Sequence, residues 1–540
     1  MVTFDGFHPG GWCRRWLTRV GMVLGAVGLT ACQAPSGALA PPHPALPWTP
    51  GANAELTALT LSTPPALAAL PTLPAGGPAQ PRPAFVVPAV SQAAELAATP
   101  VPVPDHALTL PELIDLAQRS SPVTRIAWEQ ARQAAAAVGM AEALYLPLIS
   151  AVAVGGIQRT ESPLPYAIGN LDTISTTASG VVPALTVEWL LFDFGERAAA
   201  VEAARQLAFG ANVQFQGAHQ RLIQAVALAF YQYDAARTRT RVATETLTHA
   251  TTVLEAVEAR QKQGVATTVE LAQARRQVAQ ARLLQVQAQG AERDSYQALI
   301  AATGLSPESR IAVAPLPQRS LPPALHQEAE RQLRQALARR PDVLAAYAAA
   351  VAANQGVDAA QAAFRPKIFL AGMAAVTRNR LNVNGLSFVG QPISAAGVLL
   401  GVALPLYDGG LRDQRLSLAQ SRADEAVALW RQVQEAAVLD VVTASNALKT
   451  ALEAHHAAQA WVEASQTTYD AALEAYQYGV GTLTLATEAV TDLLAARMAT
   501  VDAYAAAMAA ATTLAHATGQ LTSVADLPDG PLPRPALARP

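Results

Sequence analysis

The 540-residue sequence predicts a mainly α protein with a small β part: a long antiparallel helical tunnel carrying four membrane strands per chain. Three observations predict this class. The chain is internally duplicated, each copy holds a proline-free run of unusual length, and short alternating apolar runs lie just ahead of those runs. The duplication is read from landmarks at a constant spacing. Leu191-Phe192-Asp193-Phe194-Gly195 returns 215 residues later as Leu406-Tyr407-Asp408-Gly409-Gly410. Gln263-Gly264-Val265 returns at the same spacing as Tyr478-Gly479-Val480, and Ala302-Thr303-Gly304 as Ala517-Thr518-Gly519. Two further pairs, Ser121-Pro122 with Arg340-Pro341 and Leu146-Pro147 with Arg365-Pro366, are 219 apart. The difference falls between Pro147 and Leu191, where a loop is expected to vary.

The chain opens with a secretory signal over residues 1–31. Arg14, Arg15 and Arg19 precede an apolar stretch of about ten residues, too short to cross ~30 Å of hydrocarbon. It ends in Leu29-Thr30-Ala31-Cys32, which resembles a bacterial lipobox. That resemblance implies that Cys32 becomes the first mature residue and carries the acyl chains. Gln33 after it resembles an outer-membrane address. Cys13 leaves with the signal, so the mature chain is expected to have no thiol for a disulfide, a metal or catalysis. Residues 32–107 are rich in Pro and Ala and read as the anchor and an extended tether.

The first repeat spans residues 108–304. Residues 122–146 are Ala-rich with no internal Pro and read as a helix ended by Pro147. Residues 149–157 and 185–192 read as strands; in the second, Leu185, Val187, Trp189 and Leu191 alternate with Ala184, Thr186, Glu188 and Leu190. The Gly/Ser/Thr/Asn-rich residues 163–180 read as the loop between them. From Glu196 to Gln263 no proline occurs, enough for a helix of about 100 Å. Gly264 breaks it, and a return helix reaches about Thr303. Residues 305–325 form a linker. The second repeat, 326–521, copies the plan with a helix over 341–365, strands over 367–376 and 398–407, a long helix over 411–478 and a return over 483–518. A return helix stacked on a 122–146 or 341–365 helix nearly matches one long helix, so single helices are expected beside stacked pairs. Residues 522–540 read as a Pro-rich tail.

Open sheet edges cannot face lipid, and four strands are too few to close a barrel, so several chains must share one. At this point the chain resembles the TolC-like trimeric outer-membrane efflux proteins, over about residues 108–520. The matching residues are Leu108-Thr109-Leu110, the run from Ala141 to Pro147, the junctions Leu191 to Gly195 and Leu404 to Gly410, and Tyr476-Gln477-Tyr478-Gly479 as a Tyr-x-x-Gly tip turn. The resemblance implies a homotrimer with a twelve-stranded β-barrel continued by an α-barrel in the periplasm. It implies passive export, and partners in a periplasmic adaptor and an inner-membrane transporter of a tripartite efflux or type I secretion system. Outer-membrane lipid is a further expected partner.

The site residues follow from that resemblance. Gly264, Tyr476 and Gly479 mark the helix-tip turns and adaptor docking. Many members carry two carboxylates three residues apart after the second tip; here the matching positions are Leu485 and Glu488. Glu488 is therefore expected to narrow the pore, with Asp492 one turn beyond as a substitute and Glu270 at the matching position of the first repeat. A ring of such carboxylates would attract cations.

Other classes fit poorly. The formal charge of −3 and the lack of Lys/Arg clusters argue against nucleic acid. Asp193-Phe194-Gly195 spells a kinase triplet without its companion loops. His455 and His456 are adjacent and cannot share a helix face. No nucleophile–base constellation stands out, so neither an enzyme nor a cofactor is expected. A lipid-anchored structural coiled coil of the envelope is the alternative; it would need neither membrane-length strands nor a duplicated plan. Nothing in the sequence separates small-molecule efflux from protein secretion. The Pro-rich tether, where many lipidated members carry a Gly-Pro-Asp-Tyr-like segment, weakens assignment to the drug or metal-ion branch.

Overall fold

The computed structural model describes residues 105–521, apart from 170, 318–319, 322–336, 385 and 390–392. The signal, Cys32, most of the tether and the tail lie outside these residues. The described chain is mostly helical with one small sheet. It begins with α1 (Leu110–Ser120), α2 (Pro122–Ala143), β1 (Leu148–Ile168) and β2 (Leu171–Phe192). The long α3 (Glu196–Lys262) and its return α4 (Thr268–Thr303) follow. The second repeat gives α5 (Pro341–Ala362), β3 (Lys367–Val383), β4 (Leu386–Val389), β5 (Ile393–Ala403), α6 (Leu411–Gln477) and α7 (Leu483–Ala517).

Both long helices are 67 residues, about 100 Å each. The stacked pairs form as the lengths suggest. Ser120 Oγ, at the α1–α2 boundary, donates to the last carbonyl of α4, Thr303 O, at 2.7 Å. In the second repeat, Arg340 at the N-cap of α5 donates to Ala517 O at the end of α7 (3.3 Å). Each pair flanks a long helix: α2 and α4 pack on α3, α5 and α7 pack on both α3 and α6. The columns therefore run α4/α2, α3, α7/α5, α6. Alanine and glycine line the seams, which lets backbones approach closely. A methyl on Gly210 would sit 3.6 Å from the Ala348 Cβ, and one on Gly217 would sit 3.0 Å from Pro341.

The sheet is antiparallel, in the order β1-β2-β3, with β4 and β5 both paired along the far edge of β3. Strand order thus follows column order, one strand position per column, and β1 and β5 are open edges.

Four sequence expectations need correction. Residues 163–180 are not a loop: the ladder of β1 with β2 continues through Gln158↔Ala178 to Pro163↔Thr173, and the turn sits at Gly169. Thr173, Thr176 and Thr177 are β-branched, and their strand preference outweighs the polar composition that suggested a loop. The strand expected over 398–407 stops at Ala403, because Pro405 lacks the N–H to extend a ladder. The helices expected to reach 146 and 365 end at Ala143 and Ala362, each closing in a tight turn before the proline. Helix α1 was not foreseen; Thr109 and Glu112 form its capping box. In addition, α7 is long and apolar enough to cross a membrane by length and composition, but it packs along α6 and α3.

The two largest apolar clusters among the described residues join several helices each. One, near mid-length of α3, joins Leu108, Leu113, Phe230, Leu299, Ile300 and Ile311. The other lies near the tips and joins Val253, Val257, Tyr469, Tyr476, Val490 and Leu493.

Candidate functional site

Each α3–α4 and α6–α7 connection reverses the chain in about five residues. Gly264 and Gly479 carry φ of 74° and 82°, a region that L side chains resist. At the first tip Val265 N donates to Arg260 O (3.0 Å); at the second Val480 N donates to Ala475 O (3.0 Å). Val265, Tyr478 and Val480 project from the tips as exposed apolar side chains.

The two tips are joined to each other by a residue the sequence reading missed. Arg260 Nη1 donates to Tyr476 O at 2.7 Å, and its guanidinium lies 4.8 Å from the Tyr476 ring centroid. Tyr476 is fully buried, and burial, with Glu270 nearby, raises its pKa above the usual phenol value. Tyr476 is thus an inward anchor of the tip, while the exposed surface belongs to its neighbours.

The three acidic residues differ in their surroundings. Glu270 closes a capping box: its Oε2 accepts from Thr267 N (2.6 Å) and Thr267 Oγ1 (3.0 Å), and its own N–H donates to Thr267 Oγ1 (3.2 Å). In the second repeat Thr482 caps α7 alone, its Oγ1 accepting from Leu485 N (3.3 Å), because leucine replaces the boxing glutamate. Glu488 and Asp492 are exposed one turn apart on the same side of α7, and neither makes an ion pair among the described residues.

At the opposite ends of the long helices lie the two junctions. Asp193 and Arg197 are 8% and 7% exposed, and Asp193 Oδ2 accepts from both Arg197 N and Nε at 2.8 Å. The guanidinium also donates to Leu144 O, Leu190 O and Leu191 O, and lies 4.6 Å from the Tyr145 ring centroid. One side chain therefore ties the end of α2, the end of β2 and the start of α3. The second repeat repeats the pair: Arg412 Nε donates to Asp408 Oδ2 at 2.6 Å and its guanidinium lies over Phe364. An Asp followed four residues later by Arg, at 215-residue spacing, was the available signal. Burial alone would raise the Asp193 pKa; the hydrogen bonds from Arg197 outweigh it and hold the carboxyl below its usual range. Arg340 is, with Arg197, a buried arginine; it is paired with Asp342 (2.6 Å) and Asp440 (2.9 Å) and fixes α5 to α6 and α7.

Among the described residues no three His, Cys, Asp or Glu side chains converge as metal ligands. His455 is buried against Tyr504 and its ring centroid is 6.2 Å from that of His456. Cys32 lies outside the described residues.

Comparison with known proteins agrees with this architecture. Residues 113–305 and 332–520 match the family described as "Outer membrane efflux protein". Protein CyaE of Bordetella pertussis is 30% identical over 411 residues, covering 75% of this chain and 83% of its own. Outer membrane protein OprJ of Pseudomonas aeruginosa is 28% identical over 335 residues, 62% of this chain and 68% of OprJ. The fold is shared with the MtrE outer membrane channel of Neisseria gonorrhoeae, with a TM-score of 0.61 at 23% identity, over 77% of this chain and 90% of MtrE.

Proposed function

Because the chain belongs to the outer membrane efflux protein family, we propose that it is the outer-membrane channel-tunnel of a tripartite efflux or type I secretion system. It works as a homotrimer and passively exports substrate delivered by an inner-membrane transporter through a periplasmic adaptor. The observation that carries this reading is the matched order of strands and helix columns, open at both ends. The β1 and β5 edges have unpaired backbone groups, and the flanking α2/α4 and α6 columns expose Ile126, Val269, Leu283, Leu439 and Trp461. Head-to-tail contact of β5 with β1, and of α6 with α2/α4, removes both edges and closes a ring. An isolated structural coiled coil would leave the same edges bare.

The sheet also has the dimensions of a membrane wall. From Ile149 to Ile157 one face of β1 is wholly apolar, about 30 Å at ~3.3 Å per residue. Arg159 and Glu161, paired at 2.8 Å, end it on one side, and Tyr145, Trp189 and Phe192 flank it on the other as an aromatic girdle. The hairpin beyond Arg159 then projects outward. The helices lie in the periplasm, and the exposed Val265, Tyr478 and Val480 at the tips form the adaptor-docking surface around Gly264 and Gly479. The segments 1–31, 32–107 and 522–540 serve as signal, anchored tether and tail; 108–304 and 326–521 are the two repeats joined by 305–325.

Two experiments test this reading. Chemical cross-linking of the detergent-solubilised protein is expected to stop at three subunits; a monomer that inserts and conducts alone refutes the shared barrel. Acylation at Cys32 predicts that wild type takes up a clickable fatty-acid analogue and that Cys32→Ala loses it. The variant is still expected in the membrane fraction, since acyl chains add to a spanning barrel without replacing it.

A further inference from the structure

Strand register assigns each paired residue to one of two sheet faces. The row Ile149↔Val187↔Gly372↔Val398 and the row Ala151↔Leu185↔Ala374↔Ala396 belong to one face, which Trp189, Leu370 and Leu400 continue. No polar side chain stands in these three rows. The row Leu148↔Glu188↔Ala371↔Leu399 and the row Ser150↔Thr186↔Met373↔Gly397 belong to the other. This second face is more polar, and the Phe369 ring lies so close over Gly401 that a methyl there would fall 2.4 Å from it. On the central strand β2, Val181, Leu185 and Trp189 of the apolar face are exposed and Val187 is half-buried; of the other face, Val182, Ala184 and Thr186 are half-buried and Glu188 is exposed. Rows without a polar side chain suit lipid, so the second, more polar face is the inner one of the shared barrel.

Two ionisable groups lie on the inner face in the paired rows, Glu188 and Lys367. Lys367 is committed: its Nζ is 2.5 Å from Glu196 Oε2. Glu188 makes no ion pair or side-chain hydrogen bond among the described residues, and it opens onto a cavity of about 1060 Å³ where strands pass into helices. Lys367, Phe369 and Ala200 line the same cavity. An uncommitted carboxylate at that level faces whatever leaves the helices for the strands.

We infer that Glu188 is a specificity-determining residue of the channel, its carboxylates ringing the inner end of the barrel lumen and favouring cationic over anionic solutes. This rests on the trimeric channel reading above. It adds a second selective level, far from the helix tips where Glu488 lies.

The test uses the full-length protein in planar bilayers with Glu488 and Asp492 intact. The chain's cysteines are Cys13 and Cys32, so the barrel region offers a thiol-free background. A membrane-impermeant cationic methanethiosulfonate reagent is expected to block current through Thr186→Cys and Glu188→Cys and to spare Leu185→Cys and Val187→Cys. Glu188→Gln is expected to lower the potassium-to-chloride permeability ratio roughly two-fold, since salt screens a ring in a wide lumen only in part. Modifying Glu188→Cys with an anionic methanethiosulfonate is expected to restore the ratio in the same folded protein, so the result does not depend on how well Glu188→Gln folds. A reversed accessibility pattern overturns the inference. So does an unchanged ratio in Glu188→Gln, or in Glu188→Cys before and after modification. Wild type that forms no channel at all overturns instead the reading on which the inference rests.

Discussion

Arg197→Met is expected to destabilise the protein by about 3–5 kcal/mol, the usual cost of breaking a buried ion pair by removing one partner. The substitution keeps an unbranched apolar stem but strands three carbonyls, Leu144 O, Leu190 O and Leu191 O, that now accept from the guanidinium. It also leaves the Asp193 carboxylate buried with only backbone donors. The corresponding Arg412→Met should cost clearly less. Its pair is 14% and 23% exposed, so water can reach what the arginine releases. Urea titration followed by helical circular dichroism compares the two variants, and equal midpoint shifts would contradict the ranking. The acid dependence has a definite sign. The folded pKa values of Asp193 and Asp408 are both lowered, the first by hydrogen bonds from Arg197 that outweigh burial, the second chiefly by the side-chain hydrogen bond from Arg412. Their stabilisation is complete above the ordinary carboxylate range near ~4 and is lost as pH falls through the lower folded values. Arg197→Met should therefore flatten the loss of stability on acidification, and a variant as acid-sensitive as wild type would count against the pair.

The long-range plan was legible because its signals are repeated and local. Proline-free runs, glycines at the reversals and prolines before the strands recur at fixed spacing, and each has one physical reading. The hairpin beyond Gln158 was not legible, because Ser and Thr serve both loops and exposed strands; the pairing partner decides, and it lies about twenty residues away. Pro405 had been read as part of a strand because Val398, Leu400, Val402 and Leu404 keep perfect alternation right up to it. Alternation reports which face a residue takes, not whether a neighbour donates a hydrogen bond. The arginines were missed for a related reason. Arg197, Arg260, Arg340 and Arg412 look like solvated helix residues, and only the fold brings carbonyls, carboxylates and rings around them. Tyr476 was placed at the tip by a motif, but its burial and its link to Arg260 depend on a helix more than two hundred residues upstream.

Glu488→Gln is expected to reduce cation preference in planar bilayers and to weaken block by multivalent cations added from the periplasmic side. The reasoning starts from what each acid already binds. Glu270 has its carboxylate taken by Thr267 N and Oγ1, so its charge is partly spent on two donors at the start of α4. Its replacement by Gln, which also serves at this position of a capping box, should change both stability and selectivity little. In the second repeat the boxing position is Leu485, and the acidic charge stands one turn further along, on Glu488 and then Asp492. Both are exposed and neither has an ion-pair partner among the described residues, so each keeps its full charge for the space it faces. Three copies of an unpaired carboxylate around a narrow mouth raise the local cation concentration, and the effect grows as the gap approaches the Debye length of about 8 Å. Asp492 lies one turn beyond on a similar face, so the double variant Glu488→Gln with Asp492→Asn should exceed either single change. High salt should erase the difference between wild type and double variant, because screening removes the field that the carboxylates supply. If conductance, selectivity and block are the same in all three variants as in wild type, the constriction lies elsewhere along the tunnel. Glu488 and Asp492 would then be ordinary solvated residues of α7.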